Sequence, residues 1–238
     1  MSLEQEENVT RVSILGDSIS TFEDCHPPGY KVYYEGSAKA KYSLFTAEKT
    51  WWGQVITALG ARLCVNNSYS GSRVCGTDYY CGCSKARTSG LHSHYGSPDV
   101  ILIYMGCNDF GFGEEPEQSG GDERCAFRPA YTRMLRLIKE NYPAAKVVCG
   151  TLMRPCIRFR PEWTLPRNAL GYALGDYNNI IREVCEQQGC LLADLERAFP
   201  GMRYETLDGT HPDVVGHRTM AKAWLCSLAR LDFELLDY

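Results

Sequence analysis

The chain has 238 residues, of which 44% are hydrophobic and 23% charged, and its formal net charge is −4. This composition is typical of a globular protein, so we expect one domain over residues 1–238, with residues 1–9 as a flexible N-terminal segment. The acidic balance and the lack of a basic run argue against nucleic acid or an anionic membrane as a partner. No apolar stretch approaches the roughly 18 residues that span a bilayer, and the acidic start is unlike a signal peptide. We therefore expect no membrane insertion and a cytoplasmic location, unless a native leader has been removed.

Five apolar runs predict the strands of one sheet: residues 11–15, 62–66, 99–105, 146–152 and 191–195. Helical patterns lie between or after them: residues 51–59, a stretch through Tyr131 and Ile138, a stretch from Leu170 to Cys185, and the segment after Pro212. Strands that alternate with helices predict a parallel sheet, and unbroken apolar strands indicate burial on both faces. The predicted fold is α/β, a three-layer α/β/α sandwich with a mainly five-stranded parallel sheet.

The first predicted strand ends at Gly16-Asp17-Ser18. Gly16 allows a sharp turn, and Asp17 can accept hydrogen bonds from neighbouring amides. Ser18 then lies at the carboxyl edge of the sheet, where open α/β folds bind ligands. The same three residue types are common in ordinary turns, so this motif alone leaves both interpretations open.

A possible partner for Ser18 lies near the other end of the chain, between Asp208 and Pro212. We expect Pro212 to be the first residue of the last helix and His211 to cap it. The three-residue spacing lets a turn bring the Asp208 carboxylate onto one imidazole nitrogen of His211 and leaves the other nitrogen facing outward. Such a pair would provide two members of a serine triad, the general base and the carboxylate that orients it. His217 is another candidate for the general base, but it has no carboxylate at the three-residue spacing that separates Asp208 from His211.

Two other strand ends carry donors suited to an oxyanion. The second strand leads to Gly71, and the third leads to Asn108. A backbone amide that a substrate can approach and a side-chain amide both stabilise developing negative charge. Asp109 is expected to orient its loop rather than to react. Each residue alone fits simple turn chemistry, but their convergence on the edge that carries Ser18 favours acyl transfer.

The order of these motifs resembles that of the SGNH hydrolase superfamily, the GDSL-type esterases, lipases and acylhydrolases: Gly16-Asp17-Ser18, Gly71, Gly106-x-Asn108-Asp109 and Asp208-x-x-His211. The resemblance implies a flavodoxin-like fold, with Ser18 as nucleophile, His211 as base and Asp208 as its partner. It also implies an oxyanion hole formed by the Ser18 amide, Gly71 and Asn108. This mechanism needs neither a cofactor nor a metal. The chain lacks Gly-x-Ser-x-Gly, the nucleophile elbow of ordinary α/β-hydrolases.

The chain contains 12 cysteines. Four fall within or beside predicted strands, where free thiols pack as small apolar groups: Cys64, Cys107, Cys149 and Cys190. Cys75, Cys81 and Cys83 share a loop rich in glycine and tyrosine. The paired Cys-x-x-Cys spacing of zinc sites is missing, so a metal site is disfavoured, and free thiols or a loop disulfide remain alternatives.

Four loops are long for this topology and are expected to set specificity: residues 22–50, 72–98, 110–128 and 153–167. They carry many aromatic and arginine side chains: Tyr30, Tyr33, Tyr34, Tyr79, Tyr80, Phe110, Phe112, Phe159, Trp163, Arg73, Arg87, Arg154, Arg158 and Arg160. Such a mixture suits a sugar or another polar ester, although the aromatics could simply pack the loops down. His92 and His94 are expected to lie in a surface loop.

The sequence therefore predicts a serine esterase with a small-molecule ester substrate, such as an acylated carbohydrate. We expect it to remove acetyl or another short acyl group from a polar alcohol. One alternative is a lipase, lysophospholipase or thioesterase that acts on longer acyl chains. Another is a non-catalytic carbohydrate-binding module on the same scaffold.

Overall fold

The computed structural model describes residues 9–117, 121–157, 167–198 and 203–236. Its strands are β1 (Arg11–Gly16), β2 (Arg62–Asn66), β3 (Val100–Tyr104), β4 (Lys146–Gly150), β5 (Arg154–Ile157), β6 (Leu191–Ala193) and β7 (Arg203–Thr206). Five of them form a sheet in the order β2-β1-β3-β4-β6, and every neighbouring pair is parallel. This is the strand order of flavodoxin-like sheets, and it confirms the predicted fold class. The predicted N-terminal segment, apart from Val9, lies outside the described residues.

The helices are α1 (Ser37–Lys41), α2 (Trp51–Ala58), α3 (Lys85–Ser89), α4 (Cys107–Phe112), α5 (Phe127–Asn141), α6 (Leu174–Gln188), α7 (Leu195–Ala198) and α8 (Val214–Ala229). They pack in two groups: α2 and α7 contact α8, whereas α3 and α6 contact α5. Within the described residues, no helix has both the length and the apolar character needed to cross a membrane.

The core is built on the central strands. Every residue of β3 is buried, because its apolar side chains point alternately to the two covered faces of the sheet. On one face, the indole rings of Trp51 in α2 and Trp224 in α8 stack with centroids 5.0 Å apart. Both tryptophans are fully buried, so this pair joins the two helices through a large apolar contact.

The structure corrects two predicted helix starts. The last helix begins at Val214, and its cap is Asp213, whose Oδ1 accepts hydrogen bonds from the backbone amides of the second and third helical residues, each at 2.9 Å. The prediction of His211 as the cap was therefore wrong, because Asp213 is a better capping residue two positions later. Helix α6 begins at Leu174, and Leu170 lies before it, 47% exposed.

Strands β5 and β7 form a second, two-stranded parallel sheet that the sequence analysis did not predict. We expected residues 153–157 to belong to a loop, because a four-residue run with an internal proline carries no clear strand pattern. The 22–50 segment is also more ordered than expected, since it contains α1 and a short 3-10 helix, Ala47–Lys49. These elements border the carboxyl edge of the main sheet.

Candidate active site

The structure brings Ser18, His211 and Asp208 into one hydrogen-bonded chain. Nε2 of His211 lies 2.9 Å from the Ser18 Oγ, although the two residues are 193 positions apart. Nδ1 of His211 lies 2.7 Å from Oδ2 of Asp208. Because a carboxylate only accepts, Nδ1 carries the proton of the neutral imidazole, and Nε2 accepts from the serine hydroxyl. The arrangement can therefore withdraw a proton from Ser18.

The turn after β1 fixes the position of Ser18. Oδ1 of Asp17 accepts from the Ile19 amide at 3.0 Å and caps a short 3-10 helix, Ser18–Ser20. A Cβ added to Gly16 would lie 2.5 Å from the Oγ of Ser20, so only glycine fits there without displacing its neighbours. The nucleophile candidate is thus held by backbone geometry and packing rather than by a flexible loop.

Arg87 anchors this edge from inside the protein. Its side chain is fully buried and donates to the carbonyl oxygen of Gly16 at 2.8 Å and to that of Asn67 at 3.0 Å. These bonds join the ends of β1 and β2. Arg87 was predicted among the loop residues that set specificity, but its burial instead gives it a structural role. Burial raises the pKa of the nearby Asp17 carboxyl to about 7, and the Arg87 charge opposes that rise.

Asp208 is held in place by its own turn. Its Oδ1 accepts from the backbone amides of Thr210 and His211 at 3.0 and 2.8 Å, while its Oδ2 faces the imidazole. Burial alone would raise the pKa of Asp208, but the hydrogen bonds from the His211 side chain and backbone outweigh it and hold the pKa well below its usual range. Asp208 is therefore a carboxylate at neutral pH.

Two tyrosines also contact the group formed by Ser18, His211 and Asp208. The sequence analysis did not assign them to it. The hydroxyl oxygens of Tyr33 and Tyr42 lie 3.0 and 2.9 Å from Oδ2 of Asp208, and 2.6 Å from each other. The ring of Tyr33 also stacks on the imidazole of His211, with centroids 3.4 Å apart. We had placed Tyr33 among the substrate-facing aromatics, and Tyr42 carried no signal beyond its place in the long 22–50 loop.

Gly71 lies in the loop after β2, and Asn108 lies in the first turn of α4, the helix that follows β3. Gly71 is exposed, has a φ of 82°, and an added Cβ would meet open space. The side-chain amide of Asn108 donates to the carbonyl oxygen of Ser72 at 2.8 Å, which ties α4 to the loop after β2. The amide has two hydrogens, so one remains available.

Asp109 holds the loop that follows Gly71. Its carboxylate is fully buried and accepts from the backbone amides of Val74 and Cys75 at 2.8 and 2.9 Å. We predicted that Asp109 orients a loop, and these contacts agree, although the loop it holds is the neighbouring one rather than its own.

His217 is unsuited to act as a base. Its imidazole is fully buried, and Nδ1 accepts from the Trp51 amide at 3.1 Å. Burial lowers the pKa of His217 to about 3, so the ring stays neutral. His92 and His94 are exposed, as expected for a surface loop.

Cys75, Cys81 and Cys83 are buried free thiols, so the loop-disulfide alternative was wrong. Burial raises the pKa of Cys83 to about 12, which keeps this thiol protonated. Within the parts of the chain that the structure describes, no group of three or more His, Cys, Asp or Glu side chains is placed to hold a metal ion.

The other loop side chains divide between packing and exposure. Tyr34 and Phe110 are buried, whereas Tyr79 and Phe112 are 58% and 69% exposed. Four further candidates lie outside the described residues: Arg158, Phe159, Arg160 and Trp163.

Residues 10–152 match the family described as GDSL-like Lipase/Acylhydrolase. The chain belongs to this family. This match confirms the resemblance inferred from the motif order and identifies the protein as a GDSL-type hydrolase.

Solved structures of similar proteins share the fold over nearly the whole chain. A protein from Bacteroides uniformis described as a GDSL-like lipase is 27% identical, with a TM-score of 0.70, and the match covers 96% of this chain and 100% of that chain. A similarly described protein from Bacteroides ovatus has a TM-score of 0.71 at 24% identity, covering 94% and 99%. A curated relative, the multidomain esterase of Ruminococcus flavefaciens, is 28% identical over 133 residues, which is 54% of this chain but 15% of that protein.

Proposed function

We propose that this GDSL-type hydrolase is a serine esterase that works through an acyl-enzyme. The Ser18 Oγ attacks the ester carbonyl while His211 Nε2 takes the hydroxyl proton, and the same nitrogen returns the proton to the leaving alcohol. Water then attacks the acyl-enzyme with His211 again as base, releasing the acid and free Ser18. The supporting observation is the pair of contacts at 2.9 and 2.7 Å that joins Ser18, His211 and Asp208.

The proposed oxyanion hole consists of the Ser18 amide, the Gly71 amide and the side-chain amide of Asn108. Donors fixed before the reaction stabilise developing charge without reorganising. The bond from Asn108 to the Ser72 carbonyl supports this role, because it orients the side chain and leaves one N–H unused.

For the substrate we propose an ester of a polar alcohol, such as a carbohydrate, with acetyl or another short acyl group. A cluster of tyrosines supports this choice: Tyr30, Tyr69, Tyr79 and Tyr80. Tyr69 lies two residues before Gly71 and stacks on Tyr80 with centroids 5.0 Å apart. Tyr79 is exposed and the other three tyrosines are half-buried, and aromatic faces next to hydroxyl groups suit the alternating apolar and polar surface of a sugar ring.

A second candidate is hydrolysis of longer acyl esters by a lipase or thioesterase activity. It is favoured by the buried apolar side chains Met153, Phe110 and Leu174, which line a cavity of about 360 Å³ near the carboxyl edge of the sheet. The contact between Ser18 and His211 argues against a module that only binds carbohydrate.

Ester hydrolysis by matched variants tests the proposal. Ser18→Ala and His211→Asn are expected to lower kcat on 4-nitrophenyl acetate by about a thousandfold or more. His217→Asn serves as the control, because that imidazole is buried and should not affect kcat.

A serine-reactive organophosphate should attach to Ser18, and attachment at another serine would refute the assignment. An ester series from acetate to palmitate distinguishes the two substrate candidates.

A further inference from the structure

A cavity of about 360 Å³ lies next to the proposed catalytic residues. Part of its wall is formed by Cys107 and Phe110, which belong to α4, the helix that carries Asn108. Another part is formed by Gly209 and Thr210, the two residues between the proposed orienter and the proposed base. The cavity is therefore bordered by the helix that carries a proposed oxyanion donor and by the turn that carries the proposed base, which is where part of an ester substrate would lie.

Most of the cavity surface is apolar, but two guanidinium groups also line it. Arg154 begins β5, and Arg167 precedes α6. Among the described residues that line the cavity, none is an aspartate or glutamate. The charge of these described lining residues is thus opposite in sign to the net charge of −4 on the whole chain.

The bonding of the two guanidinium groups leaves them available to a ligand. Arg167 donates through Nη1 to the carbonyl oxygen of Gly171 at 2.6 Å, so its other donors remain. In the described parts of the chain, Arg154 has neither an ion-pair partner nor a side-chain hydrogen bond. Other arginines behave differently: Arg182, for example, lies 2.8 Å from carboxylate oxygens of both Asp194 and Glu196.

We propose that this cavity binds a carboxylate of the substrate through Arg154 and Arg167, so that the enzyme acts on esters that carry a negative charge. The inference rests on the proposed esterase function and adds a substrate class to it. A guanidinium group presents paired N–H donors that match the two oxygens of a carboxylate. The apolar side chains of Met153 and Leu174 suit the carbon skeleton that bears the carboxylate.

The carboxylate could belong to the acyl group or to the alcohol, and two substrate pairs distinguish these sources. The first pair compares mono-4-nitrophenyl glutarate with 4-nitrophenyl pentanoate, with spontaneous hydrolysis subtracted. The second pair compares acetylated methyl glucuronide with acetylated methyl glucoside. We expect the charged member of one pair to have a kcat/KM higher by about tenfold or more, the effect of a charge-assisted hydrogen bond.

Arginine variants then test the cavity itself. Arg154→Gln combined with Arg167→Gln should reduce the ratio of charged to neutral kcat/KM to near one, and each single variant should reduce it in part. Arg136→Gln is the matched control: it removes one exposed arginine from α5, where that side chain pairs with Glu140, and should leave the ratio unchanged. The thermal midpoint of each variant is measured on the same preparation.

Two results would overturn the proposal: a wild-type enzyme that does not prefer the charged member of either pair, or a preference that persists in the double arginine variant. Failure of the esterase function would look different, since neutral esters would then be hydrolysed no faster by wild type than by Ser18→Ala. In that case the proposed carboxylate site is tested by calorimetry, which measures whether glutarate and methyl glucuronide bind to the Ser18→Ala variant. Binding that the double arginine variant loses supports the cavity assignment, and no binding of either anion refutes it.

Discussion

The ring of Tyr33 lies flat on the imidazole of His211, with centroids 3.4 Å apart and ring planes 9° from parallel. The hydroxyl of the same tyrosine reaches Oδ2 of Asp208 at 3.0 Å. One side chain from the 22–50 segment thus contacts both the proposed base and its orienter. Burial raises the pKa of Tyr33 to about 12, so its hydroxyl keeps its proton and can donate at any pH at which an esterase works.

Replacing the ring of Tyr33 should disturb the position of His211. Tyr33→Leu is expected to lower kcat by about tenfold to a hundredfold with a smaller change in KM, because a displacement near 1 Å is enough to cause such a loss. Tyr33→Phe keeps the stacked ring and should retain most of the activity. Steady-state kinetics on one neutral ester measures both variants. A Leu variant with wild-type kcat would show that the stacking does not position the base.

The Tyr33 and Tyr42 hydroxyls should compensate for each other. The two hydroxyl protons are shared among three short oxygen–oxygen contacts: Tyr33 to Tyr42, Tyr33 to Asp208 and Tyr42 to Asp208. When one hydroxyl is removed, the other is free to donate its proton to Asp208. We expect Tyr33→Phe and Tyr42→Phe to lower kcat by less than about twofold each, which would give at most about fourfold if the effects were additive. The double variant should lose at least about tenfold, a non-additive result. Additive effects in this double-mutant cycle would contradict shared donation to Asp208.

The sequence predicted the residues of the site that depend on local chemistry. Asp208 and His211 are three positions apart, so their contact follows from one turn, and Ser18 follows a strand whose apolar pattern is unambiguous. The five strands of the main sheet were found within two residues of their ends, because buried parallel strands are nearly continuous apolar runs.

Contacts made by irregular segments could not be predicted in the same way. Tyr33 and Tyr42 lie in a segment without a helical or strand period, and only tertiary packing brings them to Asp208. The burial of Arg87 depends on three backbone carbonyls from separate parts of the chain. The sheet of β5 and β7 joins segments about 50 residues apart, each too short to give a pattern.

His217 should make stability depend on pH. Its folded-state pKa of about 3 lies below the ordinary value of 6.5, so the unfolded chain binds a proton more readily than the folded protein does. Stability from this group is therefore present above pH 6.5 and falls as the pH drops towards 3. Between pH 6.5 and 4.5 the loss amounts to at most about 2.5 kcal/mol.

The His217→Asn variant isolates this effect. Its Oδ1 can replace Nδ1 as acceptor for the Trp51 amide, but the side chain does not titrate. The buried Asp17 carboxyl has its pKa raised to about 7, so its contribution to stability has the opposite pH dependence. Because Asp17 is present in both wild type and variant, its contribution cancels when the two proteins are compared. Denaturant unfolding at pH 7.5 and 4.5 should show a larger loss for wild type than for the variant. Equal losses would show that His217 does not titrate as described.

The role of Asn108 connects the loop geometry to catalysis. Its side-chain amide is oriented by the carbonyl of Ser72 at 2.8 Å and has one remaining N–H. If that N–H meets the developing oxyanion, the bond is strongest in the transition state, so its loss lowers kcat more than it raises KM. Asn108→Ala is expected to lower kcat by about two to three orders of magnitude.

Asn108→Asp should be at least as damaging as Asn108→Ala. A carboxylate would face the carbonyl oxygen of Ser72 without a proton to share, and it would place negative charge where the oxyanion forms. A purely structural Asn108 would behave differently: breaking the tie between α4 and the loop after β2 would lower the thermal midpoint and leave kcat per folded molecule nearly unchanged. Thermal midpoint and kcat are therefore measured on the same preparations. A destabilised but fully active Asn108→Ala enzyme would remove Asn108 from the proposed oxyanion hole and leave only the Ser18 and Gly71 amides to stabilise the charge.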